Sequence, residues 1–151
     1  MISYLTSINY HPPLTAFPFA LICIVAILEI LSLFSNSELF RKAIFVNLCA
    51  TLLSVIAAFF SGYQADSLFI TDDAELRSRI AFHHNIGRLL LFSVIACVAF
   101  YYASIRASYN KTFFSFAYYF LLFLCFCLVL YTGYLGGELV FIHGVGVRKP
   151  L

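Results

Sequence analysis

The stretch FFSFAYYFLLFLCFCLVLYTGYLGGELVF, Phe113 to Phe141, contains one charged residue, Glu138, close to its end. About 20 predominantly apolar residues suffice for a helix to cross a hydrocarbon core. The surplus length predicts a helix that tilts or projects beyond the lipid. Three more apolar stretches reach bilayer length: about Thr15 to Phe34, about Ala43 to Ser61 and about Asn85 to Ile105. The expected fold is therefore all-α: an integral membrane four-helix bundle, a single domain over residues 1–151. The links between helices one and two and between three and four are short, which makes those neighbours antiparallel.

Composition agrees. Of the 151 residues, 63% are hydrophobic and 11% charged, against roughly a quarter charged in a soluble domain. The bilayer has to supply the missing apolar solvent. A net charge of +2, with no run of Lys or Arg longer than two, gives no basis for nucleic-acid binding. Cys23, Cys49, Cys97, Cys125 and Cys127 all lie in apolar runs and read as packing residues. No Ser–His–Asp set, phosphate loop or nucleotide fingerprint occurs. Met1 to His11 lacks the basic start of a signal peptide.

Between helices two and three lies a polar stretch, Tyr63 to His84. Its segment TDDAELRSRI, Thr71 to Ile80, opens on a helix cap followed by acids and then bases, and so predicts a short surface helix. Four crossings place the N-terminus, this stretch and the C-terminus on one side. His11 precedes helix one, His83 and His84 open helix three, and His143 closes helix four. All four histidines thus gather at one membrane face. Basic residues do not orient the chain: Arg77, Arg79, Arg148 and Lys149 on the histidine side balance Arg41, Lys42, Arg106 and Lys111 on the other. A bacterial inner membrane with the histidine face periplasmic is the orientation slightly preferred.

His11-Pro12 with Phe17-Pro18, then Gly62, then HHNIG from His83 to Gly87, then GGELVFIHGVGV from Gly136 to Val147 together resemble the bacterial membrane family catalogued as domain of unknown function 2231. The resemblance covers essentially the whole chain and rests most on the terminal motif. It implies a four-helix protein and, because some members are joined to iron–sulfur or cytochrome c modules, respiratory or redox company. His11, His83 and His143 match the family's histidines, His84 falls where the pattern varies, and Glu29 stands where an acid is frequent.

Imidazole is a common ligand for haem iron and first-row metals. His83 and Gly87 share a helical face, as do Gly136, Val140 and His143, so the glycines would clear space beside ligands. The same glycines, with Gly133 and Gly137, serve close helix packing equally well. The first expectation is a b-type haem protein relaying electrons, an electron-transfer or accessory subunit more than a stand-alone enzyme. Its cofactor set is His11, His83, His84, His143, Arg88, Gly87 and Gly136, with Arg88 pairing Glu138 or a haem propionate. Its partners are the lipid bilayer and membrane redox subunits or a cytochrome c; association with further copies of itself stays open. Of the histidines, His143 and His83 are the first expected as ligands, then His11.

Two alternatives stand beside it. One is a zinc, copper or iron ion held by His11, His83 and His143, with Asp66 or Glu138 completing or orienting the site. The other is a structural subunit without cofactor. Near the opposite face, Glu29, Asn47, Tyr101, Tyr102, Tyr118 and Tyr119 form a second polar layer. There Glu29 is expected to hydrogen-bond, with Asn47 as a candidate partner, because a bare charge in hydrocarbon is expensive; a proton or quinone contact is the functional alternative.

The crossing count has a direct check. An impermeant label should reach a tag at Leu151 and one within Asp66–Arg79 from the same side of the membrane. Opposite sides would dissolve the shared histidine face.

Overall fold

A computed structural model describes residues 10–146 except residues 36 and 70. Val147, Arg148, Lys149 and Leu151, used above for the motif, the charge balance and the label, lie outside these residues. Among the described residues the chain forms four helices: α1 (His11–Ser32), α2 (Glu38–Leu68), α3 (Ala74–Arg106) and α4 (Lys111–Phe141). Each is long and apolar enough to span a bilayer, and the chain is a multi-pass membrane protein with an all-α bundle.

Local sequence sets the helix ends. Pro12 and Pro13 start α1, where a missing N–H costs nothing. Ser37 caps α2 by accepting from the Phe40 N–H, at 3.4 Å. Asp73 caps α3 by accepting from the N–H groups of Glu75 and Leu76, at 2.9 and 3.2 Å. Thus TDDAELRSRI does contain a helix start, but the cap is Asp73 and not its opening Thr71, and no separate surface helix forms. Nothing breaks the chain between Arg79 and His84, and residues 74–80 are the first turns of α3 itself. At about 1.5 Å per residue the 33 residues of α3 run to about 50 Å, against a hydrocarbon core of about 30 Å, so one end stands outside the lipid. α4 ends where Gly144 adopts φ +67°, a left-handed conformation that suits glycine. The returning chain packs Val145 on a small apolar cluster of Leu76, Ile80 and Leu139.

The helices pack in the ring order α1–α2–α3–α4, closely between α1 and α2 and between α3 and α4, and most sparsely between α1 and α4. Each sends a stripe at alternating steps of three and four into the interior. On α2 the stripe is Ile44, Leu48, Thr51, Val55, Ala58 and Gly62; on α3 it is Tyr101, Cys97, Val94, Leu90, Gly87 and His83. On α4 it is Tyr118, Leu122, Cys125, Val129, Thr132 and Gly136. At one end the stripes carry large side chains that fill the core. Towards the histidine end they shrink to alanine, threonine and glycine. Outside, Phe116, Phe120 and Phe123 are exposed, as a lipid-facing surface requires. Cys23, Cys49, Cys97, Cys125 and Cys127 are all free thiols.

The far end is fastened by Glu29, which continues the inward stripe of Ile22 and Val25 on α1. Its partners come from α4, not from Asn47: Tyr118 Oη donates to Glu29 Oε1 at 2.6 Å and Tyr119 Oη to Oε2 at 3.2 Å. Tyr101 packs its ring 4.9 Å from that of Tyr118 and donates to the Arg41 carbonyl at 2.8 Å. This layer ties α1, α2, α3 and α4 together at one depth. A double-mutant cycle of Glu29→Gln and Tyr118→Phe, read by reversible unfolding in mixed micelles, should give a coupling of about 0.5–1.5 kcal/mol. Additive effects would mean that this contact contributes nothing to holding α1 on α4.

Candidate functional site

Where the stripes shrink, a cavity of about 500 Å³ opens among all four helices. Ligand pockets commonly enclose about 300–1,000 Å³ with an apolar lining and a few polar groups. Here the apolar wall includes Phe19, Val55, Phe59, Leu90 and Val129, and His11, His83 and His84 stand at one end. A second pocket of about 80 Å³ lies beyond them, lined also by Asp66, Phe69, Ile80 and Val145. The imidazoles, with Gly62, Gly136 and Val140, line both spaces and so form the partition between them.

The three rings are close neighbours. His11 and His83 meet edge to face with centroids 6.1 Å apart, and His83 and His84 likewise at 6.1 Å. Two glycines make this approach possible. A Cβ at Gly62 would stand 3.1 Å from His11 Cε1 and 3.5 Å from His84 Cε1, and a Cβ at Gly136 would stand 3.3 Å from His83 Cε1. Gly62 is therefore a site component that its sequence position alone marks only as part of the family pattern.

Each imidazole has a different setting. His11 Nδ1 lies 3.0 Å from Ser61 Oγ. The Ser61 hydroxyl already donates to the Ala58 carbonyl at 2.8 Å, so its oxygen accepts from His11 Nδ1–H. The ring also bonds the Ala58 backbone, so two neighbours on α2 orient it. His84 lies over the Tyr63 ring, centroids 5.1 Å apart, with Nε2 3.9 Å from Asp66 Oδ2. His83 differs from both. Its Nδ1 is buried and has no hydrogen-bond partner among the described residues. A buried polar atom left unpaired costs about 1–3 kcal/mol.

His143 stands apart from the other three. It lines neither space, and its Nε2 lies 3.7 Å from Glu138 Oε1. The physical reason is the end of α4 at Phe141: past the last helical turn the inward register is lost before His143 is reached. Glu138 is engaged by Arg79, whose Nη1 donates at 2.6 Å and which also bridges Glu75. Arg88, expected beside Glu138 or a propionate, is exposed and donates instead to Asn85 Oδ1. Gly87 and Gly136 both line the cavity, and no atom lies within 4 Å of a Cβ added at Gly87. Among the described residues no three His, Cys, Asp or Glu are grouped to share one metal ion.

A family model described as Predicted membrane protein (DUF2231) matches residues 7–149. No curated protein and no solved structure matches the chain.

The two kinds of glycine should respond differently to a methyl group. Gly87→Ala gains up to about 1 kcal/mol from helix propensity. Gly62→Ala presses on His11 and His84 and should forfeit that gain. Equal stabilisation of the two variants in reversible unfolding would show that the His11 ring yields without cost.

Proposed function

We propose that this chain, which belongs to the DUF2231 family of membrane proteins, is a b-type haem protein that relays electrons within the membrane. The observation that carries the reading is an apolar cavity lined at one end by His11 and His83, the second of which keeps a buried Nδ1 with no hydrogen-bond partner among the described residues. A bare ion would have to recruit several protein donors, and the described residues hold no such group. Haem brings four nitrogens of its own and asks the protein for one or two.

His11 and His83 are the residues that would hold it. Ser61 orients the first through Nδ1, and Gly136 lets the second stand against α4. Gly62 and Gly87 keep side chains out of the space, and the apolar wall excludes water. When bound, haem iron supplies one-electron redox chemistry. The rest of the site positions and insulates. Partners of this relay would be membrane redox subunits or a cytochrome c, and the setting a bacterial inner membrane.

A second reading, a transition-metal ion, would require the neighbouring rings of His11, His83 and His84, with Asp66 behind His84, to draw together around it. This donor set replaces the one containing His143, which lies outside both spaces.

The test is a reduced-minus-oxidised absorption spectrum of protein produced with iron and haem precursors supplied. Sharp α and Soret bands of low-spin iron are expected. His11→Ala and His83→Ala should turn the iron high-spin or lose haem, and His143→Ala should leave the spectrum unchanged. Stoichiometric metal without haem bands selects the second reading. Colourless, metal-free protein would sink both and leave a structural subunit.

A further inference from the structure

The lining of the larger cavity is not evenly enclosed. Its exposed residues all come from α1 and α4: Pro12 and Phe19 on one side, Leu130, Gly133 and Phe141 on the other. Those that α2 and α3 contribute are buried or half-buried. The α1–α4 seam is also where neighbouring helices pack most sparsely. Phe19, Leu130 and Gly133 lie within apolar membrane-spanning helices, so the opening faces hydrocarbon. In the other direction, the imidazole partition stands between the cavity and the small pocket beyond.

Hydrogen bonding narrows what fits. The Thr15 hydroxyl donates to the Pro12 carbonyl at 2.8 Å and the Thr132 hydroxyl to the Leu128 carbonyl at 2.7 Å. Both threonine protons on the wall are thus spent within their own helices. The imidazoles remain as the polar end of an otherwise apolar chamber. The far half of the seam is closed by the contacts of Glu29 with Tyr118 and Tyr119. Between that clamp and the opening lies Pro18, which has no N–H to offer the Leu14 carbonyl and so relieves α1 of one restraining bond.

We propose that the cavity is loaded from the bilayer through the α1–α4 seam, and that its occupant is a membrane-dissolved molecule with an apolar body and a head that bonds imidazole. Haem is one molecule of this class. The proposal shares its cavity with the haem reading, but the access route stands or falls on its own.

The test uses the full chain in liposomes with a hydrophobic aryl diazirine dissolved in the bilayer, followed by photolysis and peptide mapping. Colourless protein should be labelled at Leu90 and Val129, which are each only 5% exposed, as well as at lipid-facing Phe123. Gly133→Trp should cut the inner labels severalfold and leave Phe123 unchanged. No atom lies within 4 Å of a Cβ added at Gly133, so the site has room for the start of that side chain. Leu130→Trp plugs the same seam and carries the test if the first variant does not fold. Protein that carries haem is assayed instead by transfer of that haem to added liposomes, which either variant should slow severalfold. Inner labels absent beside a labelled Phe123, or label and transfer indifferent to the plugs, overturn the route. Colourless protein with plug-sensitive inner labels keeps the route and removes haem. Haem-bearing protein whose transfer ignores the plugs keeps haem and removes the route.

Discussion

Backbone amides surrounded by hydrocarbon have to be satisfied within their own helix, and this requirement leaves side-chain volume along the inward stripes to shape the interior. In this bundle that volume falls steeply from one membrane face to the other. Leu122, Val94 and Ile44 fill the space between helices in one half. Ala58, Gly62, Gly87 and Gly136 cannot fill it in the other, and the helices stay apart because the first half already sets their spacing. The cavity is the difference between the two halves. Lipid offers no hydrophobic drive for helix association, so nothing compels the small-residue half to collapse.

The histidines acquire their setting from the same gradient. His11 and His83 continue the inward stripes of α1 and α3, so they meet each other across the bundle instead of facing lipid. Gly62 and Gly136 allow rings where a larger residue would push them back. An imidazole nitrogen buried without a partner is an unusual expense for a protein to carry. That cost is the main reason for reading the chamber as a binding site and not as a packing fault.

The seam between α1 and α4 shows the gradient from outside. At the Glu29 end two tyrosine hydroxyls close it; at the histidine end exposed lining residues leave it open to lipid. One helix pair thus combines a fixed end with an open end, which is the arrangement a laterally loaded cavity needs. The polar layer that the sequence predicted as a hydrogen-bonded contact of Glu29 is the fastening of this seam, made to Tyr118 and Tyr119 and not to Asn47.

Membrane insertion, four helices, their antiparallel order and the gathering of histidines at one end were all determined by the sequence itself. Each follows from apolar run length and from counting crossings, which depend on residues close together in the chain. The segment from Thr71 to Ile80 likewise announced a helix start, though the cap falls on Asp73. Which histidines would meet did not follow from that count. His84 and His143 differ little in apparent distance from the membrane face, yet one borders the cavity and the other does not. The separating event is the end of α4 at Phe141, before the inward register reaches His143. Glu29 could not be assigned to Tyr118 over Asn47 for a related reason: depth along a helix is legible in sequence, whereas the neighbour a side chain faces depends on how α1 is rotated and packed. The emptiness of the histidine half was decided in the same way, because a void belongs to no residue and arises only when four stripes of small side chains come to lie opposite one another.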